Sequence, residues 1–178
     1  MTMQKYYIMT AFGQDRVGIV ADVTRLLYEN GCNLEDTTMN LLADQFTLNL
    51  LFSCTQNTIE EHLSRECRRL ELEKGISAFV RSLPAPQKSP RKKDKTCTLH
   101  IEGLDQAGIV YKTSKFLAEK KLNIVHLNST AQASPESGAL LYRMDIQIQI
   151  PEDISLDLLE DDLSTLADEL QVDINLSR

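Results

Sequence analysis

The stretch GQDRVGIVADVTRLLYENGCN, residues 13–33, recurs in altered form 90 residues later, beginning with GLDQAGIV at residues 103–110. Eight of the 21 positions are identical in the two copies: Gly13, Asp15, Gly18, Ile19, Val20, Leu27, Glu29 and Asn33. Chance rarely places two glycines, an aspartate and an asparagine in the same register. The chain is therefore predicted to contain two copies of one structural unit.

The segment PAPQKSPRKKDK, residues 84–95, separates the two copies. Its three prolines and its lack of periodic apolar residues indicate an extended linker. We therefore predict domains at residues 1–83 and 96–178, joined by a linker at residues 84–95. The linker holds five basic residues and one acidic residue. It is either a solvated spacer or a contact for nucleic acid or an acidic partner, and its composition leaves both open.

Apolar periodicity predicts the order β-α-β-β-α-β in the first copy. Residues 5–12 form a strand, and a helix follows with apolar positions repeating every three or four residues. Gly31 marks the end of that helix. Two strands then meet at a turn near Asp44, and a second helix precedes a closing strand at residues 76–83. The apolar residues of the two helices are Ile19, Val23, Leu26 and Leu27, then Ile59, Leu63, Cys67 and Leu70.

The second copy repeats this order with a longer hairpin turn, SPESG, at residues 134–138. Residues 142–150, YRMDIQIQI, alternate strictly, which predicts a strand with one buried face. Thr58, with Glu61 as in a capping box, and Ser155 are the predicted caps of the second helices. The fold class is therefore α+β, with two tandem ferredoxin-like antiparallel sheets that each carry helices on one face. Units this small are expected to associate by sheet edges, with each other, with a second chain, or both.

Composition excludes several classes of function. The net charge of −7 argues against direct binding to duplex DNA, which requires a basic surface. No apolar run approaches the roughly 18 residues of a membrane span, and the N-terminus does not resemble a signal peptide. We therefore expect a soluble cytoplasmic protein without membrane contact.

The sequence offers no set of catalytic or metal-binding residues. The four cysteines form no C-x-x-C pair, and the three histidines form no H-x-x-x-H pair. No Ser-His-Asp arrangement can be read from the spacing. The acidic run at residues 160–162 fits the solvated face of an amphipathic helix. We therefore predict no enzyme activity, no cofactor and no metal.

The repeated G-x-D-x-x-G-I-V turn is the candidate site, because a helix N-terminus with free amides attracts a carboxylate. The glycine that ends the turn would leave room for a ligand, and the aspartate would cap the helix or accept from an ammonium group. The asparagine offers both a donor and an acceptor. Together these groups suit a small amino acid, although the glycine and aspartate equally fit a purely structural turn. The residues concerned are Asp15, Gly18 and Asn33 in the first copy, and Asp105, Gly108 and Asn123 in the second.

The stretch GQDRVGIVADVTRLLYENGCNLED, residues 13–36, resembles the opening of an ACT domain, a βαββαβ module that binds amino acids at domain interfaces. The turn is similar to the D-R-x-G-I-V pattern of that family, which adds Arg16 to the predicted ligand-binding residues. The resemblance covers nearly the whole chain. Two departures bear on the site: Val17 stands where the family often has proline, and Gln106 replaces Arg16 in the second copy. The second site is therefore expected to be weaker, differently specific or vestigial.

Two ACT domains without a catalytic domain resemble ACT-domain repressors of the glycine cleavage genes. The resemblance implies a regulator that lacks a DNA-binding domain, senses glycine and contacts a LysR-type activator protein. A second hypothesis is an ACT adaptor that oligomerises, or regulates a partner enzyme, without a ligand of its own. A third is the regulatory fragment of an enzyme such as a deformylase, against which the missing catalytic domain argues.

Overall fold

The computed structural model describes residues 4–56, 59–84, 95–134 and 138–177. It divides into two compact units, which we call unit 1 and unit 2. The elements of unit 1 are β1 (Lys5–Gln14), α1 (Ile19–Glu29), β2 (Asn33–Leu42), β3 (Gln45–Cys54), α2 (Ile59–Lys74) and β4 (Ser77–Leu83). Those of unit 2 are β5 (Lys95–Leu104), α3 (Ile109–Glu119), β6 (Asn123–Ala133), β7 (Leu140–Ile150), α4 (Leu156–Leu170) and β8 (Val172–Ser177).

Each unit is a four-stranded antiparallel sheet with two helices. The strand order is β2-β3-β1-β4 in unit 1 and β6-β7-β5-β8 in unit 2. The third strand of each unit lies between the two strands that its first helix connects, which is the split βαβ arrangement. The predicted α+β, tandem ferredoxin-like fold is confirmed.

The two helices of unit 1 bury the apolar stripes that the sequence predicted. Val23 of α1 and Leu63 of α2 are fully buried against the sheet. On the sheet the buried residues alternate, as a strand with one covered face requires. The buried residues of the sheet strands in unit 1 include Tyr7, Met9, Ala11, Phe46, Leu48, Leu50 and Phe52.

Unit 2 has its own core, built at the corresponding places. The alternation in β7 is confirmed, since Met144, Ile146, Ile148 and Ile150 are buried. The four leucines predicted for α4 face this core: Leu159, Leu163, Leu166 and Leu170. Thr113 of α3 is fully buried at the position of Val23 in α1, and its Oγ1 has no hydrogen-bond partner. That hydroxyl is an exception to the usual pairing of buried polar atoms.

The predicted turns and ends of elements agree with the structure in part. Ala43 and Asp44, both with positive φ, form the two-residue turn between β2 and β3. Ser155 precedes α4 in extended conformation, but its side chain makes no capping hydrogen bond. The predicted cap at Thr58, residues 85–94 of the predicted linker and residues 135–137 of the SPESG turn lie outside the described residues.

The strands β2 and β6 are sheet edges that the helices leave uncovered. All ten residues of β2 are exposed. Its side chains Met39 and Leu41 alternate toward the helix side, yet 40% and 58% of their surface is accessible. β2 is therefore held mainly by its hydrogen bonds to β3 and not by burial of its side chains.

Candidate functional site

The turn between β1 and α1 is anchored to the neighbouring hairpin in unit 1, and its counterpart in unit 2 is anchored in the same way. The Asp15 N–H donates to the Asp44 carbonyl at 2.9 Å, and the Asp105 N–H donates to the Leu140 carbonyl at 2.9 Å. The repeated aspartates thus use their main chains to hold the turn at the end of the sheet. Neither α1 nor α3 has a side-chain hydrogen bond at its N-cap, so the predicted role of Asp15 and Asp105 as helix caps is not seen.

The second glycine of the motif is the N-cap of each helix. Gly18 has φ +87° and Gly108 has φ +98°, a left-handed conformation that favours glycine. An added Cβ at either position would meet no atom within 4 Å, so the space beside the backbone is open. The first α-helical bonds come from Asp22 and Lys112 to these glycines. The Ile19 N–H donates to the Arg16 carbonyl at 3.3 Å, and the other amides of the first turn have no helical acceptors.

Close backbone packing belongs to the first glycine of the motif. A Cβ on Gly13 would lie 2.9 Å from the Gly75 carbonyl oxygen, and one on Gly103 would lie 2.7 Å from Val172 Cγ1. Both glycines therefore let the central strand pass against the start of the last strand. The sequence predicted that glycine leaves room at this turn. It did not show that the first glycine is needed for its small volume and the second for its positive φ angle.

Arg16 and Gln106 differ in what they contact. Arg16 Nη2 donates to Asp22 Oδ2 at 2.5 Å, and this hydrogen bond is the main reason that the pKa of Asp22 lies below its usual range. Gln106 instead donates to the Leu170 carbonyl at the end of α4. In unit 1 the predicted guanidinium is paired with its own helix, so a ligand carboxylate would compete with Asp22 for it.

Asn33 and Asn123 lie at the opposite end of the sheet from the turns. Asn33 on β2 lies opposite Ser53 on β3, and Ser53 lies opposite Tyr6 near the start of β1. The turn follows Gln14, at the other end of β1. Eight residues at about 3.3 Å each give a separation of roughly 26 Å. The ladder in unit 2 gives the same spacing. The structure therefore brings the predicted turn residues of each unit close together, but it places the asparagine of that unit far from them.

Both asparagine amides already have partners. Asn33 Nδ2 donates to Glu35 Oε1 at 2.9 Å, and Ser53 Oγ donates to the same oxygen at 2.6 Å. The hydrogen bond from Ser53, and after it the one from Asn33, hold the pKa of Glu35 below its usual range. Asn123 Nδ2 donates to Gln149 Oε1 at 2.9 Å. The assignment of the seven residues to a ligand site stays a prediction.

A groove of about 480 Å³ lies beside α1 and the start of β2. It is lined mostly by apolar atoms and includes Tyr28, Cys32 and Leu34. Burial, and after it the neighbouring Cys54, raise the pKa of the Cys32 thiol to about 12. Cys32 is therefore a protonated, weakly nucleophilic thiol at neutral pH.

The structure does assemble a Ser-His-Asp row, which the spacing in the sequence could not reveal. His100 Nδ1 lies 2.6 Å from Asp145 Oδ1, and His100 Nε2 lies 2.9 Å from Ser177 Oγ. The three residues come from neighbouring strands and meet on the exposed face of the sheet. β5 pairs on both sides, so its amides are used by the ladder and not available as oxyanion donors.

The residues that the structure describes hold neither a metal-ligand cluster nor a membrane-spanning helix. Within these ranges, no group of three or more His, Cys, Asp or Glu residues could hold a metal ion. None of the helices that the structure describes is both long and apolar enough to cross a membrane.

A family model of the ACT domain matches residues 5–80. A UPF0237 protein of Neisseria meningitidis serogroup A is 34% identical over 71 residues, which cover 37% of this chain and 79% of that protein. The chain belongs to the ACT-domain family. Unit 2 has the same strand order as the ACT domain in unit 1.

Similarity to other ACT-domain proteins extends over nearly the full chain. The glycine cleavage system transcriptional repressor of Escherichia coli K12 is 25% identical over 173 residues, which cover 96% of this chain and 88% of that protein. An unknown protein from Galdieria sulphuraria has a crystal structure that superposes with a TM-score of 0.79, at 27% identity and 98% coverage of both chains. A crystal structure assigned to a glycine cleavage system transcriptional repressor has a TM-score of 0.72 at 22% identity, covering 98% and 97%, and shows the shared fold. The predicted resemblance is confirmed.

Proposed function

We propose that this chain is a non-enzymatic cytoplasmic repressor that responds to a small amino acid, glycine being the first candidate. It would act without binding DNA, by contact with a LysR-type activator of glycine cleavage genes. The observation that carries this proposal is the similarity to the E. coli repressor across 96% of the chain. The net charge of −7 fits a protein partner better than DNA.

The turns supply the chemistry for the proposed ligand. A carboxylate would sit on the amides that follow Gly18 or Gly108, where the N-cap has no side chain and the adjoining space is open. The Asp15 or Asp105 carboxylate would accept from the ligand ammonium. Glycine suits this arrangement because main-chain donors and one carboxylate recognise the zwitterion without needing a side-chain pocket.

The remaining predicted residues refine the proposal. Arg16 adds a positive charge beside the first turn, and Gln106 does not, so we propose the tighter site in unit 1. Asn33 and Asn123 do not reach the turn of their own unit, because they lie roughly 26 Å away from it. In a homo-oligomer they would be available to the turn of a second chain.

Isothermal titration of the full chain with glycine, alanine and serine tests the ligand. We expect glycine to bind, and Asp15→Asn combined with Asp105→Asn to weaken binding at least tenfold by removing the ammonium acceptor. Asp44→Asn is the matched control, because Asp44 contributes its carbonyl and not its carboxylate to the turn. The absence of a binding heat with all three amino acids would contradict the proposal.

A second candidate, the ligand-free ACT adaptor, is favoured by one observation. The amides of Asn33 and Asn123 and the guanidinium of Arg16 are all satisfied by neighbouring side chains. Pull-down of the LysR-type activator with and without glycine, for the wild type and for Asn33→Ala/Asn123→Ala, distinguishes the two. An adaptor binds its partner equally in every case, whereas the proposed sensor responds to glycine in the wild type.

A further inference from the structure

The sheet of unit 1 has an apolar face on the side away from its helices, which we call the open face. Phe12 and Phe79 lie on it with their rings stacked at 6.1 Å, and 43% and 64% of their surfaces are exposed. The ladder places further apolar side chains on the same side. The apolar residues of the open face are Tyr6, Ile8, Phe12, Leu51, Phe79 and Leu83. Thr10 and Asn49, whose side chains are hydrogen-bonded to each other, lie among them. An apolar patch on a sheet face with no helix above it marks an interaction surface.

Unit 2 shows that the fold itself does not require an apolar open face. Its ladder places Thr98 where unit 1 has Ile8, and Gln147 where unit 1 has Leu51. At two further matched positions, unit 2 has Glu102 where unit 1 has Phe12, and Asn175 where unit 1 has Phe79. These polar side chains are what a sheet face in contact with water carries. The contrast indicates that the apolar residues on the open face of unit 1 serve an interaction and not the fold.

The charges on the open face identify a self-complementary arrangement. Asp36 on β2 and Arg81 on β4 stand at opposite edges of the sheet in one row, which also contains Leu51 and Ile8. A two-fold axis parallel to the strands, between β1 and β3, exchanges the two edges of the sheet. It places Arg81 of each copy opposite Asp36 of the other, with Leu51 opposite Ile8. Glu35 on the same side of β2 is already held by Ser53 and Asn33.

We propose that a second copy of this chain covers the open face, sheet against sheet, with the charged pair closing both edges. Four strands at about 4.8 Å and eight residues at about 3.3 Å give a contact of roughly 500 Å² per copy. The total of roughly 1,000 Å² is at the lower end of specific interfaces, so the dimer dissociates on dilution. This interface does not depend on the proposed amino-acid ligand.

Sedimentation velocity of the full chain from about 1 to 200 μM tests the dimer. The double variant Phe12→Glu/Phe79→Asn gives unit 1 the residues that unit 2 has, and we expect it to weaken dimerisation at least tenfold. Tyr28→Asn is the matched control, since it removes an aromatic side chain that is 83% exposed on α1, away from this face. Circular dichroism checks that each variant is folded.

A charge exchange tests the geometry itself. Asp36→Arg and Arg81→Asp should each weaken dimerisation, and the double exchange should restore it, because the pair forms again across the two-fold axis. A wild type that stays monomeric at every concentration would overturn the proposal, and so would a dimer that none of these substitutions affects. Loss of partner binding in Phe12→Glu/Phe79→Asn, with a monomeric wild type, would assign the face to a different protein.

Discussion

At the scale of single residues, the two glycines of the repeated turn meet different physical demands. Gly18 adopts a left-handed backbone in open space, while Gly13 lies where a Cβ would come within 2.9 Å of the Gly75 carbonyl oxygen. In the sequence, both are simply glycines that are identical in the two copies. Only the backbone geometry shows that one is selected for its φ angle and the other for its lack of volume.

Substitution can separate these two demands. Gly18→Ala should lower the free energy of unfolding by about 1–2 kcal/mol, because a left-handed alanine is strained. Gly18→Asn should cost less, since asparagine tolerates this region. Gly13→Ala should cost about 1–3 kcal/mol by overpacking. Urea unfolding measures all three, and equal losses for alanine and asparagine at position 18 would contradict the role assigned to φ.

Thr113 gives a second prediction at this scale, because its buried hydroxyl has no partner while Val23 occupies the same place in unit 1. Thr113→Val should raise the stability of unit 2 by about 1–3 kcal/mol, the cost of an unsatisfied buried polar group. Val23→Thr is the reciprocal control and should destabilise unit 1. Urea denaturation followed by circular dichroism measures both changes. Loss of stability in Thr113→Val would mean that the hydroxyl is paired.

At the scale of elements, periodicity predicted which face of each strand and helix is buried wherever a second layer covers the element. The stripe of α1 and the alternation of β7 follow from that rule. The edge strand β2 departs from it, because alternation describes a strand and does not say whether a helix lies above it. Its attachment to β3 therefore depends on hydrogen bonds, including those around Glu35.

The bonds from Ser53 and Asn33 to Glu35 predict a pH dependence at this strand pair. Since the folded state lowers the pKa of Glu35, its contribution to stability is present above the unfolded-state pKa of about 4.3 and is lost as the pH falls through the folded-state value. The difference in unfolding free energy between wild type and Glu35→Gln should therefore shrink from pH 6 to pH 3.

A carboxyl titration by NMR checks the cause. Ser53→Ala removes the stronger of the two hydrogen bonds and should move the pKa of Glu35 back toward its ordinary value. Ser82→Ala, at an exposed serine on β4, should leave the titration unchanged. An unaltered Glu35 titration in Ser53→Ala would show that another interaction holds the carboxylate.

At the scale of the whole molecule, each unit has a core made only of its own residues, from Tyr7 to Ile76 in unit 1 and from Cys97 to Val172 in unit 2. β4 ends at Leu83 and β5 begins at Lys95, the last residue of the predicted linker. The boundaries at residues 83 and 96 stay a prediction, because residues 85–94 lie outside the described residues.

The separate cores predict that the fragment of residues 1–83 folds by itself. It should show a mixed α/β circular dichroism spectrum and a single cooperative urea transition, because its apolar core is complete without the second half. The fragment of residues 95–178 is the counterpart and should behave alike. A fragment 1–83 that lacks a cooperative transition would contradict the predicted domain division.

The sequence by itself determined the duplication, the element order and the buried stripes, because these depend on spacing along the chain. Tertiary structure decided which distant residues meet. It placed Asn33 at the far end of the sheet from Gly18, assembled His100, Asp145 and Ser177 from three strands, and gave the two sheets unlike open faces. The physical reason is that strand pairing and register set distances between residues that are far apart in the chain, and local periodicity carries no information about them.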